Sequence, residues 1–184
     1  MLRLMDLCKA FTFFESGPVV VVSSHDGQKD NLMTISWSMV NDFTPRIALT
    51  TGPWNSSFKG MLKSKECVLA VLPARLLKTA VGIGTCHSNE VDKWEKFKLT
   101  KQAAKIVQAP LIQESVACLE CKLVRYIAAD NIFIWQGEKL WANPRLKKAK
   151  IAHANGDGTF FVDGKFYNLR REMKKLLRPS QYRF

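Results

Sequence analysis

The hydroxyl side chains carry the first chemical signal. In DNLMTISWSM, residues 30–39, an extended chain sets Thr34, Ser36 and Ser38 along one face and Met33, Ile35, Trp37 and Met39 along the other. In TTGPWNSSFKG, residues 50–60, a strand ends, Gly52-Pro53 turns the chain, and Asn55, Ser56 and Ser57 fall where a helix begins. Free backbone N–H groups and the positive end of the helix dipole make such a place an anion site, and serine hydroxyls add donors. The plain alternatives are a solvent-facing strand edge for the first stretch and ordinary helix capping for the second.

Other reactive side chains offer less. Five cysteines are an odd number in a chain too large to need disulfide staples, so reduced thiols are expected. Cys118 and Cys121 form a CxxC, but VACLECKLVRYI reads as a strand, in which residues three apart point to opposite faces. A second ligand pair with metal spacing is missing, because Cys86 and His87 are merely adjacent, so no metal is expected. His25, His87 and His153 are far apart in sequence and read as surface or supporting residues. GIGTCH, residues 82–87, lacks the third glycine of a dinucleotide loop and follows a helical run, not a strand. No Walker A, nucleophile elbow or HExxH is present, and no catalytic side chain is identified.

The elements that must position these residues follow from the periodicity. GPVVVVSS and the 30–39 stretch make a hairpin about Asp26-Gly27, and RIALTT is a further strand. In WNSSFKGMLKSKE, Phe58, Met61 and Leu62 fall at helical spacing. ECVLAVLPA, residues 66–74, returns to strand, and ARLLKTAVGIGT is a helix that stops near Gly82 or Gly84. VDKWEKF gives a helical turn or two. SVACLECKLVRYIAA and NIFIWQGEKLWA form a long hairpin joined at Ala129-Asp130, and REMKKLL is a terminal helix. Strands in hairpins with helices inserted singly disfavour a doubly wound parallel sheet and predict a mainly β barrel with peripheral helices.

A hydrophobic fraction of 47% with 24% charged residues excludes a disordered or fibrous chain, and residues 1–184 are expected to form one domain. No apolar stretch approaches the length of a membrane span, so no membrane association and a cytoplasmic location are expected. The net charge of +12 concentrates in RLKKAK, residues 145–150, and in residues 169–183. Neither segment interleaves aromatics at base-stacking spacing, which disfavours nucleic acid and leaves a solvated basic surface.

Taken together, NLMTISWSM, LTTGPWNSSF, ECVLAVLPARLLKTAVGIG and VDKWEKF resemble, in order and spacing, the flavin reductase-like, FMN-binding split-barrel proteins, flavoredoxin among them. GEKLWA and HANGDGTFFVDG extend the resemblance over nearly the whole chain. It implies a split β-barrel, a homodimer and non-covalently held FMN. Carried over residue by residue, it sets Asn31, Met33, Thr34, Ser36 and Trp37 against the ring and ribityl parts. It likewise sets Thr50, Thr51, Trp54, Ser56, Ser57 and Phe58 around the ribityl chain and phosphate, with Lys93 supplying further charge. It also implies an NAD(P)H:flavin oxidoreductase type of chemistry, with electrons passing from a reduced nicotinamide, or from a redox-protein donor, to flavin. One departure stands out. Many members carry a histidine associated with the nicotinamide site where this chain has Asn131. FMN binding is therefore better supported than direct oxidation of NADH or NADPH, and an acidic electron carrier would suit the basic surface. The competing reading is a non-catalytic module of the same barrel fold that binds nucleic acid or an acidic protein.

Overall fold

A computed structural model describes residues 1–176. In chain order it contains β1 (Arg3–Met5), β2 (Val20–His25), β3 (Asp30–Ile35), β4 (Ser38–Val40), β5 (Arg46–Thr50), α1 (Ser57–Ser64) and β6 (Glu66–Val71). Then follow α2 (Leu77–Gly84), α3 (Lys93–Lys96), β7 (Lys101–Gln102), β8 (Leu111–Ile112), β9 (Ala117–Ile127), β10 (Ile132–Ala142), β11 (Ala152–Ala154) and β12 (Phe160–Val162).

One antiparallel sheet dominates, in the order β3-β2-β6-β9-β10-β5-β4, with β1 beside β10. β3 and β4 are its two edges, yet only Ser36 and Trp37 separate them in sequence. Three Cα steps reach no more than about 11 Å, so the edges must meet there and the sheet must curl. The result is a split half-barrel. Its curvature is helped by two register shifts between β9 and β10, at Ile134/Trp135 and Gly137/Lys139. Gly137 sits at the second, where its N–H bonds the Pro45 carbonyl at 2.7 Å and a Cβ would fall 2.8 Å from Leu119. No larger residue fits.

Both faces of the central strands are covered, which is why their sequences are apolar without alternation. Val20, Val22, Leu69 and Val71 join Phe133 and Trp135 in one core, within the curl. Val19, Val21, Val68 and Ala70 join Leu32, Ile83, Trp94, Leu111 and Trp141 in a second core, beneath α2, α3 and the 98–113 segment. Glu120 is a buried carboxylate on this second face. Fully buried, its carboxylate accepts the N–H groups of Lys105, Ile106 and Val107 and the indole N–H of Trp141, and so pins the 105–107 loop to the sheet.

The mainly β split barrel with peripheral helices matches expectation. Two details differ. Residues 30–39 are not one strand: β3 stops at Ile35, and β4 pairs with β5 on the opposite edge. Met33 and Ile35 therefore face the core, whereas Trp37 and Met39 are 65% and 63% exposed. Residues 170–176 form a succession of turns, such as Met173 N–H to Leu169 O, in place of the expected α-helix, and Leu177 lies outside the described residues. That segment presents Leu169, Met173 and Leu176 to solvent, and an isolated stretch of this length has little packing to hold it helical. Finally, Cys118 and Cys121 belong to different cores, on opposite faces of β9, as the strand reading of CxxC requires. No described helix is long and apolar enough to cross a membrane.

Candidate functional site

β3 lies at an open edge, so its outer groups are met by helices instead of a further strand. α1 and α2 both pack against it, and a narrow cleft remains between them. Its walls include Asn31, Met33 and Thr34 from β3, Asn55, Ser56 and Ser57 at the start of α1, and Lys93 from α3. The far wall is the end of α2, with Ile83 and Gly84, followed by Cys86 and His87.

Hydrogen bonds fix most of these groups. The Asn31 side-chain amide donates to Ser57 Oγ at 2.8 Å, while its Oδ1 accepts the Leu32 N–H at 2.8 Å. Thr34 Oγ1 donates to the Ala80 carbonyl at 2.5 Å, tying β3 to α2. Buried Thr51 accepts from Asn55 Nδ2 at 2.9 Å and lies 3.6 Å from the Met33 sulfur. Lys93 is buried and donates to the carbonyls of Leu32 and Ile83, both at 2.9 Å. It thereby joins the open edge of β3 to the C-terminal end of α2, where a cation meets the negative end of the helix dipole. Burial holds its ammonium below the usual lysine range, an effect opposed by the charge of neighbouring Cys86.

The start of α1 decides what the cleft offers. Ser56 occupies the N-cap position but makes no side-chain capping bond. Its Oγ instead stands 3.4 Å from His87 Nδ1, and the Ser57 hydroxyl is engaged by Asn31. The two serines thus cap none of the first-turn N–H groups, of which that of Phe58 bonds the Asn55 carbonyl at 3.0 Å. The helix start, two hydroxyls, an imidazole and an ammonium meet at one cleft, a donor set suited to a phosphate.

Of the residues expected at a site, Asn31, Met33, Thr34, Ser56, Ser57 and Lys93 come together here, and Thr51 supports them from behind. Ser36, Trp37 and Thr50 lie instead at the seam between the sheet edges, where the Thr50 N–H bonds the Trp37 carbonyl at 3.0 Å. Trp54 is 59% exposed, and its ring lies over Gly52 so closely that a Cβ there would come within 2.3 Å. Phe58 is buried edge-on between Tyr126 and Phe133, at centroid distances of 5.5 and 5.7 Å, as part of the core. Gly84, Cys86 and His87 are cleft residues that the sequence reading does not place at the site. GIGTCH is not a glycine phosphate loop, yet it supplies the wall opposite the serines because α2 ends beside β3.

Residues 14–168 match the family model described as the flavin reductase like domain. The chain belongs to this family. Its fold is similar to an FMN-binding domain of a flavin reductases-like enzyme from Shewanella baltica OS155, with a TM-score of 0.84 at 20% identity over 91% of this chain and 97% of that one. Flavoredoxin of Desulfovibrio vulgaris (Miyazaki F) superposes with a TM-score of 0.75 at 18% identity, covering 83% of this chain and 89% of that one. In sequence, an uncharacterized protein of Archaeoglobus fulgidus is 34% identical over 116 residues, spanning 61% of this chain and 64% of its own length. This flavin reductase-like chain keeps the split barrel at low identity because two fully buried sheet faces tolerate many apolar combinations.

Proposed function

We propose that this flavin reductase-like protein binds FMN non-covalently and acts as a flavin-dependent redox protein. The carrying observation is the start of α1, where Ser56 stands at the N-cap without capping and faces His87 across the cleft. On this reading the first-turn N–H groups, Ser56, Ser57 and His87 hold the phosphate. Thr34, Asn31 and Thr51 line the path of the ribityl chain, while Ser36, Trp37, Thr50 and Trp54 present polar and aromatic groups at the seam for the ring. FMN, when bound, supplies the hydride and single-electron chemistry that side chains do not. The chain's own contribution is to bind, orient and shield from water, and it needs no acid or base.

The β9–β10 turn bears on the electron source. Asn131 adopts a left-handed conformation, with φ of 54°, and its Oδ1 accepts the Tyr126 hydroxyl at 2.8 Å. Asparagine tolerates that backbone better than most residues, so it serves the turn at the position where the family resemblance would imply a nicotinamide-site histidine. This favours a redox-protein donor, for which the basic surface selects an acidic carrier, over NADH or NADPH. The exposed Trp37, Met39 and Trp54 beside the seam fit a homodimer contact.

The test compares FMN with riboflavin. Replacing exposed Ser56 by Ala should weaken FMN about tenfold and riboflavin little, since one hydrogen bond to a charged group is worth roughly 1.5 kcal/mol or more. Equal weakening of both would place the phosphate elsewhere. Purified protein that carries no flavin and takes up none on adding FMN would refute the reading outright. Anaerobic mixing with NADPH or NADH separates the donors: rapid bleaching of bound flavin would favour the nicotinamide.

A further inference from the structure

On the other side of Lys93 lies a second cavity, of about 340 Å³, between the β2–β3 turn, the 88–92 loop, the start of α3 and β7. Asn31 and Lys93 are walls of both this cavity and the cleft. Its carboxylates are already engaged. Asp30 is held between His25 Nδ1 at 2.8 Å and Lys101 Nζ at 2.6 Å, and Asp92 caps α3 by accepting the N–H groups of Trp94 and Glu95.

Its lysines are a different matter. Lys29 Nζ donates to the Ser88 carbonyl at 3.2 Å, and Lys93 Nζ to the carbonyls of Leu32 and Ile83. Each ammonium has three N–H groups, so neutral carbonyls take one from Lys29 and two from Lys93. Three lysines against two aspartates leave the cavity positive before His25 is counted. A buried ammonium held only by carbonyls is costly, and an anion with several acceptor oxygens would offset that cost by pairing with it.

We propose that this cavity is a second anion site, for a phosphate group, separate from the one at α1 and joined to it by the shared Lys93 wall. A phosphate presents the acceptors that Lys29, Lys93 and the His25 ring can share. The volume exceeds that of a bare phosphate and leaves room for an ester substituent bounded by polar Gln28 and Ser88. The inference goes beyond flavin binding and stands without it.

The experiment is calorimetric titration of the full chain, with and without saturating FMN, using inorganic phosphate, pyrophosphate and 5′-AMP. Stoichiometric binding that persists in the presence of FMN is expected. Lys29→Gln, at an exposed position where folding is not at risk, should weaken it tenfold or more, while Lys147→Gln in the remote basic stretch should leave it unchanged. Tighter 5′-AMP than phosphate assigns the group to a nucleotide ester; tighter pyrophosphate assigns it to an oxyanion of its own. The proposal falls if FMN displaces the anion mole for mole, since the anion would then occupy the flavin phosphate position. It falls equally if both lysine variants behave alike, which would mean diffuse attraction to a basic surface. A preparation that takes up no FMN still reports on this site, so the flavin reading and this one fail separately.

Discussion

Replacing Lys93 by Met isolates what holds the cleft in shape. The change keeps the length and apolar stem of the side chain and removes only the ammonium, which bonds Leu32 O and Ile83 O at 2.9 Å each. Two opposing effects follow. The two carbonyls lose a charged donor, at roughly 1 to 3 kcal/mol each when left without a partner. Against this, the variant no longer buries an ammonium, a cost on the order of several kcal/mol in a relaxed protein interior and less where the cleft admits water. Lys93 lines both the cleft and the neighbouring cavity, so its charge is partly solvated and the lost bonds should win. A net loss of about 2 to 3 kcal/mol lowers Tm by roughly 4 to 12 °C for a chain of this size. Thermal unfolding followed by circular dichroism measures it. The variant should also lose one feature of the pH profile. Because burial holds Lys93 below its ordinary value of 10.5, the unfolded chain binds more protons than the folded one in the window just below that pH. Wild-type stability gains from Lys93 as pH rises through that window, and Lys93→Met lacks the gain. An unchanged or raised Tm would refute the argument, showing that relief of desolvation outweighs the two bonds and that Lys93 does not brace α2 against β3.

Two further outcomes are expected. Burial pushes the Cys118 thiol from 9.0 up to about 12, so its contribution is intact below pH 9 and lost as pH rises to about 12. Full loss corresponds to roughly 4 kcal/mol, and denaturant unfolding between pH 8 and 11 should show a shallower alkaline decline in Cys118→Ala than in wild type; identical slopes would contradict this. Cys67, raised by burial and by the thiol of Cys121 opposite it, adds a decline of the same sign in both proteins. On β4, Met39→Lys replaces an exposed apolar side chain two residues from exposed Trp37 by a charge, and light scattering should show a dimer in wild type and a monomer in the variant. A wild-type monomer at tens of micromolar would remove the homodimer from the proposal.

What could be read from the sequence, and what could not, divides along the line between local and closed structure. Val19–Val22 and Cys67–Leu72 announce themselves as strands through their own apolar, β-rich composition, and the structure covers both of their faces. NSSF likewise announces a helix start, because chain direction and hydroxyls are both local. The break at Ser36–Trp37 is invisible for the same reason. Alternation continues unbroken from Met33 to Met39, and only the closing of the sheet decides that Met33 is core while Met39, on the far edge, is exposed. Phe58 shows the limit from another side: helical spacing marks it as facing something, but not whether that something is a ligand or Tyr126 and Phe133. Cys86 and His87 reach the cleft only because α2 ends beside the open edge of β3, and Lys93 is drawn inward by carbonyls from Leu32 and Ile83, 61 and 10 residues away. An open sheet edge covered by helix ends concentrates unspent backbone donors and acceptors at one place. Side chains drawn there to satisfy them, Lys93 first, leave ammonium and hydroxyl groups facing the space that remains. In this fold the cleft is thus a consequence of how the edge of β3 is capped, and the polar residues a ligand would meet are largely those the edge itself requires.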